Sequence, residues 1–386
     1  MGVVSPLMPR VNYVAGSIRK ICQLTGEFDR ERSALAFNRT ESRVGLTGTD
    51  LGSSFRHGGR LWFLFGDSWP DPGLGDSVAF TTDADPEQGV HLEFLNTGGR
   101  FVCPRVDLPG GGQLSTGAFE VPVAGFSARG TMYVLYSTDH YQEHGQDLMG
   151  RCVLTRAAAD DPTDLVYLYE VSNSHRGGRF INVSVVVSES GFPGLSFDGG
   201  ALLVWGSGRF RASDPYLACV PLDRVEERAS WRYFTGQQES SRPLWSAHED
   251  DATALFEHPQ IGELSVTWNA PLGLWLMLYN ARSPRGINFR VASQPWGPWS
   301  RPEVLFDPDW PGVGYGAFMH VSSEARGTDR LSDPGRDAIW GGEYGPYVIS
   351  SYTRALEHHR VAIYFVMSTW NPYNTVLMTA TLERQG

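Results

Sequence analysis

The chain is poor in cysteine, in charge and in long apolar runs, and each shortage removes a class of answer. Its four cysteines, Cys22, Cys103, Cys152 and Cys219, lie far apart in 386 residues, with no C-x-x-C pair and no zinc-ligand spacing. They read as buried thiols. Only 19% of residues are charged and the net charge is −11, so the surface repels a phosphate backbone and nucleic acid is excluded as a partner. The longest apolar runs, LWFLF at 61–65 and RVAIYFVM at 360–367, are strand-sized. None approaches the roughly 18–20 residues of a membrane-spanning helix, so no membrane is expected as a partner. The opening MGVVSPLMPR has no charged start leading into an apolar stretch, so no signal peptide is visible. Helical periodicity is scarce as well, with 222–230 the one candidate segment.

What is abundant is turn and strand material: 44 Gly, 24 Pro, 20 Phe, 15 Tyr and 12 Trp. These residues suit many short strands joined by tight turns. One pattern recurs five times, an aromatic-rich strand opened by a turn residue. The copies are GRLWFLFGD from Gly59, GTMYVLYST from Gly130, GALLVWGSG from Gly200, GLWLMLYNA from Gly273 and HRVAIYFVM from His359. Their spacings are 71, 70, 73 and 86 residues. Each copy has a strand of mixed polarity upstream (44–55, 116–126, 181–190, 262–270, 345–353) and another candidate strand downstream. Several show the period-2 alternation of a sheet buried on one face. WRYFTG at 231–236 and RPEVLF at 301–306 are candidate fourth strands. Five units of three or four antiparallel strands predict an all-β, five-bladed β-propeller. A sandwich of similar strand count needs no repeat. The whole chain, 1–386, reads as one propeller with blades at roughly 41–100, 114–170, 178–236, 260–306 and 343–383.

In such a ring the first strand of each blade lines a central channel, and side chains at one end converge. A carboxylate there has no packing purpose. GTDLG at 48–52 places Asp50 in the first strand of blade one, and FLFGDSW at 63–69 places Asp67 just after the second. A hairpin joins the two strands, so both carboxylates can reach one rim. Glycoside hydrolysis needs such a pair, one protonated and one ionised. Turn capping is the structural alternative for each. Glu120 and Glu263 are the matching acids of blades two and four, as a third catalytic acid, as acceptors for sugar hydroxyls or as strand-edge ion pairs. Trp69, Trp268, Trp370 and Tyr373 lie on or near channel-proximal segments, and a ring face there can stack on a sugar; core packing is the alternative. No metal-ligand motif is present and the chemistry requires no cofactor, although a propeller axis can hold a structural calcium or sodium ion. The polar loops at 104–116, 236–258 and 322–342 are the segments that decide whether a groove is open or closed.

Several stretches together resemble one family. KICQLTGEFDRE at 20–31, GTDLG, LWFLFGDSW at 61–69, STGAFEVP at 115–122, ELSVTWNAPLGLWLMLY at 263–279, YGPYV at 344–348 and MSTWNPYNTVLM at 367–378 are similar to the domain of unknown function 4185. That family is grouped with the endo-D-arabinanases of glycoside hydrolase family 183. The resemblance spans about residues 14–383. It implies a propeller enzyme, secreted, that cleaves α-linked D-arabinofuranosyl chains of arabinogalactan and lipoarabinomannan, with its acidic pair at Asp50 and Asp67. The partner is then a polysaccharide, an arabinan. One departure is Ser68 followed by Trp69 where the family often has Thr after F-G-D, expected to reshape the first subsite. The alternatives are a glycosidase of other specificity, such as an exo-acting arabinofuranosidase or an enzyme for another furanoside or a fucoside, and a glycan-binding propeller without catalysis.

Overall fold

Each second strand of the five repeats is buried on both faces, and this decides the architecture. In Ala201–Ser207 every residue is buried. Leu203 and Trp205 enter one apolar cluster while Leu202 and Val204 enter another. The same division holds elsewhere. Phe63 and Phe65 face one cluster, Trp62 and Leu64 the next. Trp275 and Met277 face one, Leu276 and Leu278 the next. Each sheet is therefore sandwiched between two others. Alternation in these second strands sorts side chains between two neighbouring sheets rather than between core and water.

The computed structural model describes residues 10–70, 75–238, 242–321 and 329–385. Blade I runs Leu51–His57, Arg60–Asp67, Asp76–Thr81 and Glu93–Phe94. Blade II runs Val121–Ala128, Thr131–Glu143, Gln146–Ala158 and Asp161–Asn173, with Arg105–Asp107 added parallel to its last strand. Blade III runs Asn182–Ser188, Ala201–Ser207, Pro215–Pro221, Arg232–Gln237 and Pro243–Ser246. Blade IV runs Leu264–Asn269, Leu274–Arg282, Arg285–Ala292 and Glu303–Phe306. Blade V runs Glu343–Val348, Arg360–Thr369 and Asn374–Arg384. Both candidate fourth strands, 231–236 and 301–306, are present. The candidate helical segment 222–230 holds two short 3-10 turns, Leu222–Arg224 and Arg228–Ser230.

Blade V departs from the boundaries read in the sequence. Val11–Tyr13 and Arg19–Gln23 both pair with Asn374–Arg384, so the start of the chain supplies the outer edge of the last blade. That pairing ties the ring shut and covers an edge that would otherwise be open. Blade I also starts later than 44–55, because Thr40–Val44 forms a short α-helix and the inner strand begins at Leu51. The loop at 104–116 contributes a strand. Of the other two loops, residues 239–241 and 322–328 lie outside the described residues, as do 1–9 of the opening segment. Cys22, Cys152 and Cys219 are buried thiols and Cys103 is half-buried.

The five inner strands meet their neighbours in a closed circle, I to II, II to III, III to IV, IV to V and V to I. They do not form a ladder with one another, so side-chain hydroxyls satisfy several of their amides. Ser184 Oγ accepts from Val266 N at 2.8 Å, Ser265 Oγ from Val348 N at 3.0 Å and Ser368 Oγ from Leu51 N at 2.7 Å. Close approach is needed where inner strands I and II touch. A Cβ on Gly125 would lie 2.3 Å from the Phe55 ring. Gly125→Ala is therefore expected to cost about 1–3 kcal/mol by overpacking, read as a lowered urea midpoint with unchanged slope. An unchanged midpoint would contradict this packing.

Candidate active site

All inner strands run the same way along the axis, so their starts lie at one end. That end holds a cavity of about 520 Å³. Asp50, Asp67, Glu263, Glu343, Arg211 and Tyr344 are among the residues lining it. The opposite end is lined by the hairpin side of the same strands and by hydroxyls such as Ser127, Ser184 and Ser265.

The GTDLG segment is shaped to turn Asp50 into the first cavity. Gly48 passes against the Tyr373 carbonyl, where a Cβ would lie 2.2 Å from the oxygen. Thr49 Oγ1 donates to Gly66 O at 3.0 Å. Leu51 and Gly52 have φ of +59° and +106°, and the pairing with the second strand shifts between Leu51 and Ser53. This is a β-bulge, a device that re-aims a side chain. Asp50 thus sits immediately before the inner strand rather than within it. A second irregularity falls between Phe65 and Asp67. Gly66 lies between them, and a Cβ there would stand 2.4 Å from Asp50 Oδ1. The glycine before Asp67 therefore makes room for the other carboxylate.

The two aspartates live in different surroundings. Asp50 Oδ2 accepts the Tyr344 hydroxyl at 2.9 Å, and Oδ1 is buried without a partner. Burial first, then the charges of Asp67 and Glu263, hold the Asp50 carboxyl well above the usual carboxylate range; the hydroxyls of Tyr344 and Tyr373 pull the other way. Asp67 Oδ1 accepts the Phe119 amide at 2.9 Å. Burial pushes Asp67 up to about 6, against that amide and the charge of His140. Asp76, cross-strand from Asp67, is fully buried and accepts the Tyr136 hydroxyl. Burial, then the charges of Asp67, Asp50 and Glu120, push it well above the usual range.

Of the other residues singled out in the sequence, two line the cavity and a third lies behind it. Glu263 lines it, with its side chain 12% exposed and Oε2 lying 3.8 Å from Arg211 Nη2. Trp370 lines it and is 41% exposed. Tyr373 is buried behind it and donates to the Asp67 carbonyl at 2.9 Å. Trp69 stacks on Tyr373 at 4.5 Å and carries the Arg336 guanidinium, so it braces Tyr373 from outside the cavity. Two residues lie elsewhere. Trp268 is near the end of its inner strand, beside the hairpin at the opposite end of the axis, against Trp275. Glu120 is buried away from the cavity and accepts the amides of Asp139, His140 and Gly117. Burial works against its charge, but bonds from Ser115 and those amides outweigh it and lower its pKa. Ser68 is fully buried, donating to Gly66 O and bonded to the Ser77 hydroxyl, so it is not part of the cavity wall and the expected reshaping of a subsite does not follow.

Glu343, Tyr344, Arg211, Trp340 and Phe119 were not singled out in the sequence. Glu343 had a usable signal. The start of each inner strand carries a polar residue: Asp50, Glu120, Asn182, Glu263 and Glu343. Aligning the blades on their inner strands finds it. Among the described residues no three His, Cys, Asp or Glu side chains group as a metal site.

The buried acids set a pH dependence for stability. The folded values of Asp50, Asp67 and Asp76 lie above the unfolded value of about 4. The folded state thus holds more protons than the unfolded chain between the two values. Their contribution is full below about pH 4 and is lost as pH rises through the folded values, with Asp67's share going near pH 6. Asp76→Asn, which carries no titrating proton there, is expected to flatten this fall. Urea midpoints at pH 5 and 8 for both proteins check it.

No curated protein matches the chain. Among solved structures, it is similar to the GH43_1 enzyme from Xanthomonas citri, complexed with xylotriose, at 12% identity over 86% of each chain and a TM-score of 0.43. The α-L-arabinofuranosidase from Podospora anserina, in complex with cellotriose, matches at 11% identity over 95% of this chain and 96% of that one, TM-score 0.43. The exo-β-1,3-galactanase from Phanerochaete chrysosporium, with galactose, matches at 8% identity over 94% of this chain and 64% of that one, TM-score 0.45. The model of one family, described as Domain of unknown function (DUF4185), matches residues 36–379, and the chain belongs to that family.

Proposed function

We propose that this protein is a glycoside hydrolase that cleaves α-linked D-arabinofuranosyl chains, with Asp50 and Asp67 as its catalytic pair. The observation that carries the reading is the buried pair itself. Two carboxylates from adjacent strands are turned by bulges into one end of the axial cavity, and their surroundings separate their proton affinities. Asp50, held well above the usual carboxylate range by burial, is the member that keeps its proton and acts as the general acid toward the leaving oxygen. Tyr344 fixes its orientation. Asp67 is ionised above about pH 6 and works on the other side of the bond, as base or nucleophile. The exposed rings of Phe119, Trp340 and Trp370 at the cavity wall offer faces to the C–H surface of a sugar. The sugar is the finer part of the reading and rests on the motif resemblance to endo-D-arabinanases. A cell-wall polymer as substrate implies an exported enzyme.

The deciding experiment is digestion of mycobacterial arabinogalactan with product chromatography. The expected result is a ladder of arabino-oligosaccharides from the wild type, and loss on the order of a thousandfold in Asp50→Asn and Asp67→Asn with unfolding midpoints retained. Monosaccharide alone would make the enzyme exo-acting. Binding without turnover, and tolerance of Asp67→Asn, would make the cavity a lectin site.

The pH profile tests the division of roles. Activity should rise with pH through about 6 as Asp67 ionises, and fall at higher pH as Asp50 loses its proton. Tyr344→Phe removes a bond that favours the Asp50 carboxylate, so the alkaline limb should move to higher pH. A shift to lower pH, or none, would reverse or remove the role given to Asp50.

A further inference from the structure

In the same cavity as the aspartate pair, three charged side chains from blades III, IV and V carry polar atoms without a hydrogen bond, and the one pairing among them is a loose ion pair of Arg211 Nη2 with Glu263 Oε2 at 3.8 Å. Arg211 follows the second strand of blade III, Glu263 precedes the inner strand of blade IV, and Glu343 opens the inner strand of blade V. All three line the cavity. Arg211 Nε, Glu263 Oε2 and Glu343 Oε2 are buried without a hydrogen-bond partner. The Glu343 side chain is only 7% exposed, and its other oxygen lies 3.7 Å from Arg285 Nε, beyond hydrogen-bond length. An unsatisfied buried polar atom costs about 1–3 kcal/mol. Three on one wall of one cavity call for a common partner.

The local backbone is built to keep this arrangement open. A Cβ on Gly262 would lie 2.3 Å from Asn280 Oδ1 and 3.3 Å from Arg211 Nε. Glycine at this place lets Arg211 pack against the chain just before Glu263. The charge pattern then restricts the ligand. Two carboxylates accept and one guanidinium donates, and the Asp67 carboxylate adds negative charge in the same cavity. A phosphate or a uronate would meet Glu263, Glu343 and Asp67. A neutral ring with adjacent hydroxyls supplies two donors to the carboxylates and an acceptor to the guanidinium.

We infer that Arg211, Glu263 and Glu343 form a hydroxyl-binding subsite that holds a neutral sugar ring by adjacent hydroxyls beside the aspartate pair. The inference rests on the glycosidase reading of the same cavity and adds the residues that fix the sugar. It gives Glu263 and Glu343 a binding role distinct from acid–base catalysis. Their truncation then weakens saccharide binding even in a protein that cannot turn over.

The test is calorimetric titration of Asp67→Asn protein with an arabinofuranosyl oligosaccharide and, separately, with xylo- and galacto-oligosaccharides. Adding Glu343→Ala or Glu263→Ala is expected to weaken binding tenfold or more, about 1.4 kcal/mol. Glu343→Gln, which keeps an acceptor oxygen, should restore part of it. An analogue lacking one ring hydroxyl should bind Asp67→Asn more weakly than the parent sugar, and bind the Glu343→Ala double variant as the parent does. A purely structural Glu343 would not erase that difference. Unfolding midpoints confirm that the variants fold. If only a non-arabinose saccharide binds, and Glu343→Ala weakens it, the subsite stands and the arabinan reading fails. Affinity unchanged in both alanine variants, or no binding of any of these saccharides, overturns the subsite.

Discussion

The structure depends on packing each sheet between two others. Alternate residues of a second strand, such as Leu202 and Leu203, enter different apolar clusters, so every blade is held by both its neighbours. A side chain like Trp205 or Phe65, fully buried, gains about 1.5–3 kcal/mol from leaving water. Sheets packed this way around an axis bring their inner strands together but leave the axis-facing edge of each without a ladder partner. Hydroxyls on Ser184, Ser265 and Ser368 take over that task. The closure of blade V by Val11–Tyr13 and Arg19–Gln23 follows from the same constraint, because a blade missing its outer strands would expose both an edge and an apolar face.

The axis has two ends, and the inner strands have a direction, so the ends differ in chemistry. Strand starts carry Asp50, Glu263 and Glu343 to one end. Hairpins carry turn residues to the other. Burial of acids at the first end is costly, and the bulges at Leu51–Ser53 and Phe65–Asp67 show the backbone adapted to hold them there. Gly66 is the point where the two adaptations meet, since its missing Cβ leaves space for Asp50 Oδ1. Such local departures from regular pairing, kept in place by a rigid ring, are what a strained functional site requires.

Much of this was legible before any coordinates. The five aromatic strands, their spacing, the fourth strands at 231–236 and 301–306 and the nearness of Asp50 and Asp67 to one hairpin of adjacent strands all lie in local pattern. Trp268 and Glu120 show where local pattern stops. Both lie on or beside inner strands, but Trp268 sits at the hairpin end and Glu120 is drawn into the amides of Asp139, His140 and Gly117. Glu343 was missed for the opposite reason, because no repeat of aromatic residues points to it.

The sequence by itself determined the blade count, the strand material and the residue types available at each strand start, because these follow from periodicity and from side-chain chemistry within a few residues. Tertiary structure alone decided which end of the ring each residue occupies, which acids converge, and which chain segment closes the last blade. Those outcomes depend on the direction of strands around an axis and on contacts between residues far apart in the chain, such as Tyr344 with Asp50, 294 positions away. The proton affinities of Asp50 and Asp67 belong to the same class, since burial by several blades at once sets them.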